Sequence, residues 1–305
     1  MKRILTRSIS VAPFASRSLR VIATVAILCA VPVATPSLPL LAKVLTTNTD
    51  SPVRAKDLFY ATASGGAEMF AIEIRRGVIT TRDIGPTLGG NCVSLALSSS
   101  RTLYSMCGPL FGDQQLATID PKSGRANLFG EPVSGLTVMA IAFAPNGILY
   151  AVGDCHPDAT TFECTPDSDS NYNSLYTVNE ATGAFTRVGS TGAPRFFMDL
   201  TFDRDGNMFG VTTTFNPSTV PAVLYRIDLA TGMATMIVNL VGSNSVMGLA
   251  FGREGKLYAT DFTQNPGLYL IDITTGFEKA IAALPFGFSS ALELANPHED
   301  EGAEQ

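Results

Sequence analysis

The chain has 305 residues, 46% of them hydrophobic and only 16% charged, which excludes a disordered chain and leaves room for a large core or a closed array of repeats. Its 27 acidic side chains outnumber its 21 basic ones, which argues against a basic, nucleic-acid-binding surface. The 27 glycines suit an all-β chain with many tight turns.

The N-terminus reads as a segment apart. Lys2, Arg3, Arg7, Arg17 and Arg20 are the only charges before Lys43, and an uncharged run beginning VIATVAILCAVPVA follows Arg20. A basic head before a short apolar core is the pattern of a secretory signal peptide. Residues 1–42 are therefore expected to be one, with cleavage after Ala30, Ala34 or Ala42. A retained membrane anchor over Val21–Ala42 is the competing reading, and Pro32, Pro36 and Pro39 oppose a helix of that length. Cys29 does not fit a lipid-attachment motif, because Ala26 and Leu28 stand where a leucine and a small residue are needed. Without residues 1–42 the chain keeps 16 Lys plus Arg against 27 Asp plus Glu, a net charge of −11 that disfavours nucleic acid and anionic membrane as partners. The expected compartment is secreted or periplasmic, with no stable membrane span after signal removal. The four remaining cysteines, an even number, fit two disulfides there.

Residues 43–56 lack sustained alternation and read as a linker; residues 297–305 read as an acidic, disordered tail. Between them, over 57–296, one stretch recurs five times: MFAIEIRRG (Met69–Gly77), LATIDPKSG (Leu116–Gly124), LYTVNEATG (Leu175–Gly183), LYRIDLATG (Leu224–Gly232) and LYLIDITTG (Leu268–Gly276). Alternating apolar residues give a half-buried strand, and Asp, Asn or Glu followed by a glycine gives a hairpin turn. A second element (FYAT, LYSM, LYAV, MFGV, LYAT) and a third (SLALSSSR, AIAFAPNG, DLTFDRDG, GLAFGREG, ALELANPH) recur in step, and a fourth strand follows each turn. The turn glycines are spaced 47, 59, 49 and 44 residues apart. Four short strands at this period predict a β-propeller. A β-sandwich has as many strands but would not repeat internally. The pattern starts on a second strand, DLFYATA, and ends on an innermost one, SSALELA. Five four-stranded blades are therefore expected, with the C-terminal strand completing the first and leaving no open end.

The LYxIDxxTG and LAFxxxGxLYA elements resemble the secreted bacterial propeller repeats of the YVTN/NHL-like and quinoprotein amine dehydrogenase-like groups, over about residues 57–295. The resemblance implies that function gathers at one mouth of the ring, on loops from outer to next inner strand and from second to third strand. The chain has no Trp, so it lacks the WD dipeptide and the Trp-docking repeats of quinone-dependent alcohol dehydrogenases.

Aligned inner strands put Ser94, Ala96, Ala140, Ala142, Asp199, Thr201, Gly248, Ala250, Ala291 and Glu293 on one face, expected to line a channel. Val93, Leu95, Met139, Ile141, Met198, Leu200, Met247, Leu249 and Leu292 fall on the other, expected to pack between blades. Asp199 and Glu293 are the candidate general acid/base pair; the plainer reading is a hydrogen-bonded lining. His156 and His298 are the only histidines, which argues against a Ser-His-Asp triad or a multi-histidine metal site.

The large irregularity is an insert between Gly153 and Ser174. Cys155, His156 and Cys164 make a poor zinc set, and a local Cys155–Cys164 disulfide fits better. Asp167, Asp169, Asn171 and Asn173 alternate as in a calcium loop, though Tyr172 stands where that loop needs glycine. Calcium is thus the one cofactor the sequence suggests. A second disulfide, Cys92–Cys107, follows if Leu97 pairs with Thr102 across the SSSR turn. His156, Asp158, Phe162 and Glu163 of the insert, with Phe196, Phe197, Phe286 and Phe288, are the candidates for a binding surface. The reading favoured is an exported binding or scaffold propeller with a site for a protein, carbohydrate or small-molecule ligand. The alternative is a glycosidase-, lyase- or lactonase-like propeller enzyme using Asp199 and Glu293.

Overall fold

The structure is a computed structural model that describes residues 57–109, 112–154, 173–213, 220–242 and 245–295. Blade 1 contains β1 (Asp57–Ala63), β2 (Glu68–Arg75) and β3 (Val78–Pro86). Blade 2 contains β4 (Asn91–Cys92), β5 (Ala96–Leu97), β6 (Leu103–Gly108), β7 (Gln115–Ile119) and β8 (Ala126–Leu128). Blade 3 contains β9 (Thr137–Phe143), β10 (Leu149–Asp154), β11 (Ser174–Val178) and β12 (Phe185–Ser190). Blade 4 contains β13 (Phe197–Phe202), β14 (Met208–Thr212), β15 (Val223–Ile227) and β16 (Ala234–Asn239). Blade 5 contains β17 (Val246–Phe251), β18 (Leu257–Asp261), β19 (Gly267–Ile271) and β20 (Glu278–Ala283), and β21 (Ala291–Leu294) follows. Neighbouring strands in each blade are antiparallel, and the order in blade 1 is β21-β1-β2-β3, so the last strand completes the first blade of a five-bladed propeller. Phe59 lies opposite Leu294 and Thr62 opposite Ala291.

The repeat's turn works as expected in four copies. In the last, Asp272 Oδ1 accepts from the backbone N–H of Thr274 at 2.9 Å and of Thr275 at 3.3 Å. These N–H donors hold its carboxyl below the usual range, with help from the Thr275 hydroxyl. Gly276 takes φ +73°, and a Cβ there would lie 2.0 Å from the Asn239 carbonyl oxygen of blade 4. Glycine is thus required twice, for the turn and for the close approach of the neighbouring blade. The copy in blade 1 differs: β2 runs on to Arg75, so Glu73 lies within the strand and Arg76 and Gly77, both with positive φ, make a two-residue turn.

Each blade presents a Leu or Ile of its inner strand to the preceding blade: Leu95, Ile141, Leu200, Leu249 and Leu292 sit in five separate buried clusters. The small residues meet them from the other side. Ala140 and Ala142 share a cluster with Leu200, Ala96 with Ile141, Ala250 with Leu292, and Ala291 with Leu95. This corrects the expectation that the small-residue face lines a channel. Blades stack around the axis, so both faces of a sheet meet a neighbour and only the inner strand's edge faces inward. Small side chains are needed because a leucine of the next blade packs on them.

Bulges make a second correction. Met139, Met198 and Met247 are each passed over by the pairing of their inner strand with the second strand. Together with Val93 they join one cluster with members from blades 2 to 5, rather than staying in separate inter-blade cores.

Cys92 and Cys107 are disulfide-bonded, directly opposed, with Cα atoms 4.1 Å apart. Val93 N–H donates to the Met106 carbonyl, which makes the cysteines a non-hydrogen-bonded pair, the closer kind that a disulfide accepts. The register beyond them is not as expected: Leu97 opposes Leu103, not Thr102. Residues 93–95 interrupt the inner strand and shift the pairing by one residue.

The junction of blades 5 and 1 has its own latch. Asp57, buried at the start of β1, accepts from the Arg253 backbone N–H at 2.9 Å and is hydrogen-bonded to Tyr258. The Phe59 and Tyr258 rings pack alongside with centroids 5.0 Å apart. Burial raises the Asp57 carboxyl, opposed by the Arg253 N–H and the Tyr258 hydroxyl.

Candidate functional site

An inner strand is an edge strand, and its axis-facing N–H groups need acceptors. Side chains from the preceding blade supply them. Thr201 Oγ1 accepts from Phe251 N–H at 3.3 Å, Glu293 Oε1 from Leu97 N–H at 3.1 Å, and Gln114 Oε1 from Val138 N–H at 2.7 Å. Asp199 does most. Its Oδ2 accepts from Leu249 N–H at 2.8 Å and Leu292 N–H at 3.4 Å, and its Oδ1 from Leu200 N–H at 2.9 Å. One carboxyl thereby ties together inner strands of blades 4, 5 and 1.

Asp199 has no exposed surface, and burial drives its carboxyl well above the usual range; the three N–H donors pull it back and the nearby Glu293 charge adds to the rise. Glu293 is only partly exposed, and burial pushes it up to about 8 against the opposing Leu97 N–H. The structure thus brings the two carboxyls within electrostatic reach although their blades are not neighbours. It gives Asp199 no surface on which a substrate could rest.

Because Glu293 binds its proton more tightly folded than unfolded, its contribution to stability is complete below its ordinary value of 4.5 and is lost as pH rises through about 8. Asp199 acts in the same direction. The melting temperature is expected to fall as pH rises from about 5 to 9, and Glu293→Gln, which keeps the oxygen that Leu97 needs, should flatten that slope. Differential scanning fluorimetry at stepped pH reads this directly; parallel curves for the two proteins would refute it.

On the face where second strands lead into third strands, the insert has a built base. Asn173, fully buried with φ +43°, donates from its backbone N–H to Asp154 Oδ1 at 3.2 Å, and its Nδ2 donates to the carbonyls of Ala193 at 2.8 Å and Arg195 at 2.7 Å. Arg195 in turn donates to the Pro221 carbonyl at 3.1 Å. Blade 5 uses the same device without the insert: Asp261 at the end of β18 accepts from Gly267 N–H at 2.7 Å and from Tyr269 Oη at 3.2 Å, across only Phe262–Pro266. A second-strand Asp therefore closes both loops, although the one in blade 3 spans 155–172.

Of the residues singled out in the sequence, Cys155, His156, Asp158, Phe162, Glu163, Cys164, Asp167, Asp169 and Asn171 lie outside the described residues. Asn173 is a structural hub whose amide nitrogen serves two backbone carbonyls. Phe197, at 2% exposure, packs against Tyr225 at 5.5 Å, and Phe286 is buried against Phe70 at 4.2 Å, so neither offers surface to a partner. Phe196 is partly buried, while Phe288 is exposed beside Phe262 at 5.0 Å. Among the described residues, no group of three His, Cys, Asp or Glu could hold a metal ion. The sequence reading missed the Asp154–Asn173 clasp; the signal was an Asp ending both LYAVGD and LYATD.

No protein-family model and no curated protein matches the sequence. Among solved structures the chain is similar to one in a nidogen/laminin complex (11% identity, 80% of this chain and 100% of that one, TM-score 0.47). It is also similar to TolB from Acinetobacter baumannii (11%, 79% and 66%, TM-score 0.45) and to a gluconolactonase from Xanthomonas campestris (13%, 76% and 78%, TM-score 0.45). Likeness at this level carries no argument about activity, and what the chain is shown to be, by its own strand pairing, is a five-bladed β-propeller.

Proposed function

We propose that the protein is an exported binding or scaffold propeller whose partner docks on the face bearing the 155–172 insert. The observation that carries this reading is the clasp at its base. Asp154 and Asn173 close the loop over 155–172 as Asp261 and Gly267 close a five-residue loop, so the same device serves two loops of very different length. Additions to a fixed framework are where binding function is commonly placed. Export rests on the basic and apolar leader; among the described residues no helix is long and apolar enough to cross a membrane.

The test replaces residues 155–172 with a short Gly-Ser link between Asp154 and Asn173. Melting should change by no more than about 2 °C, because the clasp remains, while ligand-induced stabilisation found with sugars, lactones, calcium or a protein partner should disappear. Retained stabilisation would remove the insert from the site.

The second reading, a glycosidase-, lyase- or lactonase-like enzyme, has one favourable observation: Glu293 is partly open and carries a proton near neutral pH. Turnover abolished by Glu293→Gln with melting preserved would favour it.

A further inference from the structure

The outer strands of the blades are exposed edges, and most are protected by charge. β3 carries Arg82 and Asp83, β12 carries Arg187, β20 carries Lys279, and β8 is three residues long directly after Arg125. Such charges discourage edge-to-edge pairing. β16 is different. From Gly232 to Val241 the chain reads GMATMIVNLV, without one charge. Met233, Met236, Ile237 and Val241 are 54%, 51%, 38% and 59% exposed, and Phe277, which pairs with Val241 from blade 5, is 57% exposed. The two ends are fixed to neighbouring blades: Ala234 N–H donates to the Thr191 carbonyl at 2.9 Å and Val241 N–H to the Gly276 carbonyl at 2.8 Å. Between these ties, Thr235–Asn239 forms the rim of blade 4 with no strand beyond it among the described residues.

We infer that this edge is a docking surface for a second copy of the chain, pairing β16 with β16 antiparallel about a two-fold axis. Charge selects that occupant. Two-fold pairing sets an edge against itself, and like charges facing each other across strands are destabilising. Self-pairing of β3, β12 or β20 would bring Arg82, Arg187 or Lys279 toward its own copy; β16 brings none. Copies of a net-negative chain, −6 with residues 1–42 and −11 without them, repel least where the surface is uncharged. Area agrees: five large apolar residues each 38–59% exposed form a contiguous uncharged contribution to the ~800 Å² that a stable interface takes from each partner. The inference is independent of the proposed binding face, because β16 lies on the rim and the insert between second and third strands.

Sedimentation equilibrium of the purified protein at tens of micromolar should give twice the monomer mass. Ile237→Lys, or Met236→Lys should the first not fold, should give monomer with an unchanged cooperative melt. Thr80→Lys on the exposed β3 edge should remain dimeric. A monomeric wild type, a dimer that survives both β16 lysines, or a dimer lost equally in Thr80→Lys would overturn the inference.

Discussion

Truncation after Gly287 is expected to abolish cooperative unfolding. Removing residues 288–305 takes away β21, with buried Ala291, Leu292 and Leu294. Each lost leucine costs about 2–5 kcal/mol by cavity formation alone, against a total stability of about 5–15 kcal/mol for a typical domain. The loss does not stop there. Edge groups of β1 lose their ladder, Asp199 loses the Leu292 N–H, and Leu97 N–H loses the Glu293 carboxyl. Removal of 298–305 alone touches none of these contacts and should leave the melt unchanged. Far-ultraviolet circular dichroism against urea separates the two truncations; a sharp transition in the longer one would mean that the ring does not close through β21.

Asp199→Ala should give the next largest effect, a fall in melting temperature of about 5–10 °C. Three backbone N–H groups, those of Leu200, Leu249 and Leu292, would lose their acceptor, at about 1–3 kcal/mol each. Relief of the buried carboxyl's own desolvation, which raises its proton affinity, offsets part of that cost. Asp199→Asn keeps one oxygen and should fall between. An unchanged melting temperature in Asp199→Ala would show that the carboxyl does not hold the ring.

The four side chains that serve inner-strand N–H groups and the insert's clasp share a physical theme: polar side chains placed where the fold leaves backbone groups unpaired. The resulting assignments differ from those suggested by residue type alone. A carboxylate in the middle of a propeller resembles a catalyst until its two oxygens are seen to be occupied by three amides.

The repeat, the four strands per blade, the five blades and closure by the C-terminus are all legible in the chain, because alternation and turn glycines are local patterns and their phase along the chain dictates which strand is left over at each end. The Cys92–Cys107 pair was legible as two cysteines flanking one hairpin, but its register was not: an unbroken hairpin from Leu97–Leu103 would set Cys92 against Gly108, and the shift at 93–95 brings it to Cys107. The rest depends on how segments far apart in the chain meet. The bulge at residues 93–95 that sets Leu97 against Leu103 is a single-residue shift that alternation does not encode. Whether Ala140 and Ala142 face an open channel or Leu200 depends on how blades stack, not on either strand. Phe197 and Phe288 have the same side chain, yet one is core and the other surface, because their neighbours come from elsewhere in the chain. The partners of Asp199 lie 50 and 93 residues away, on strands that meet it only once the ring is closed.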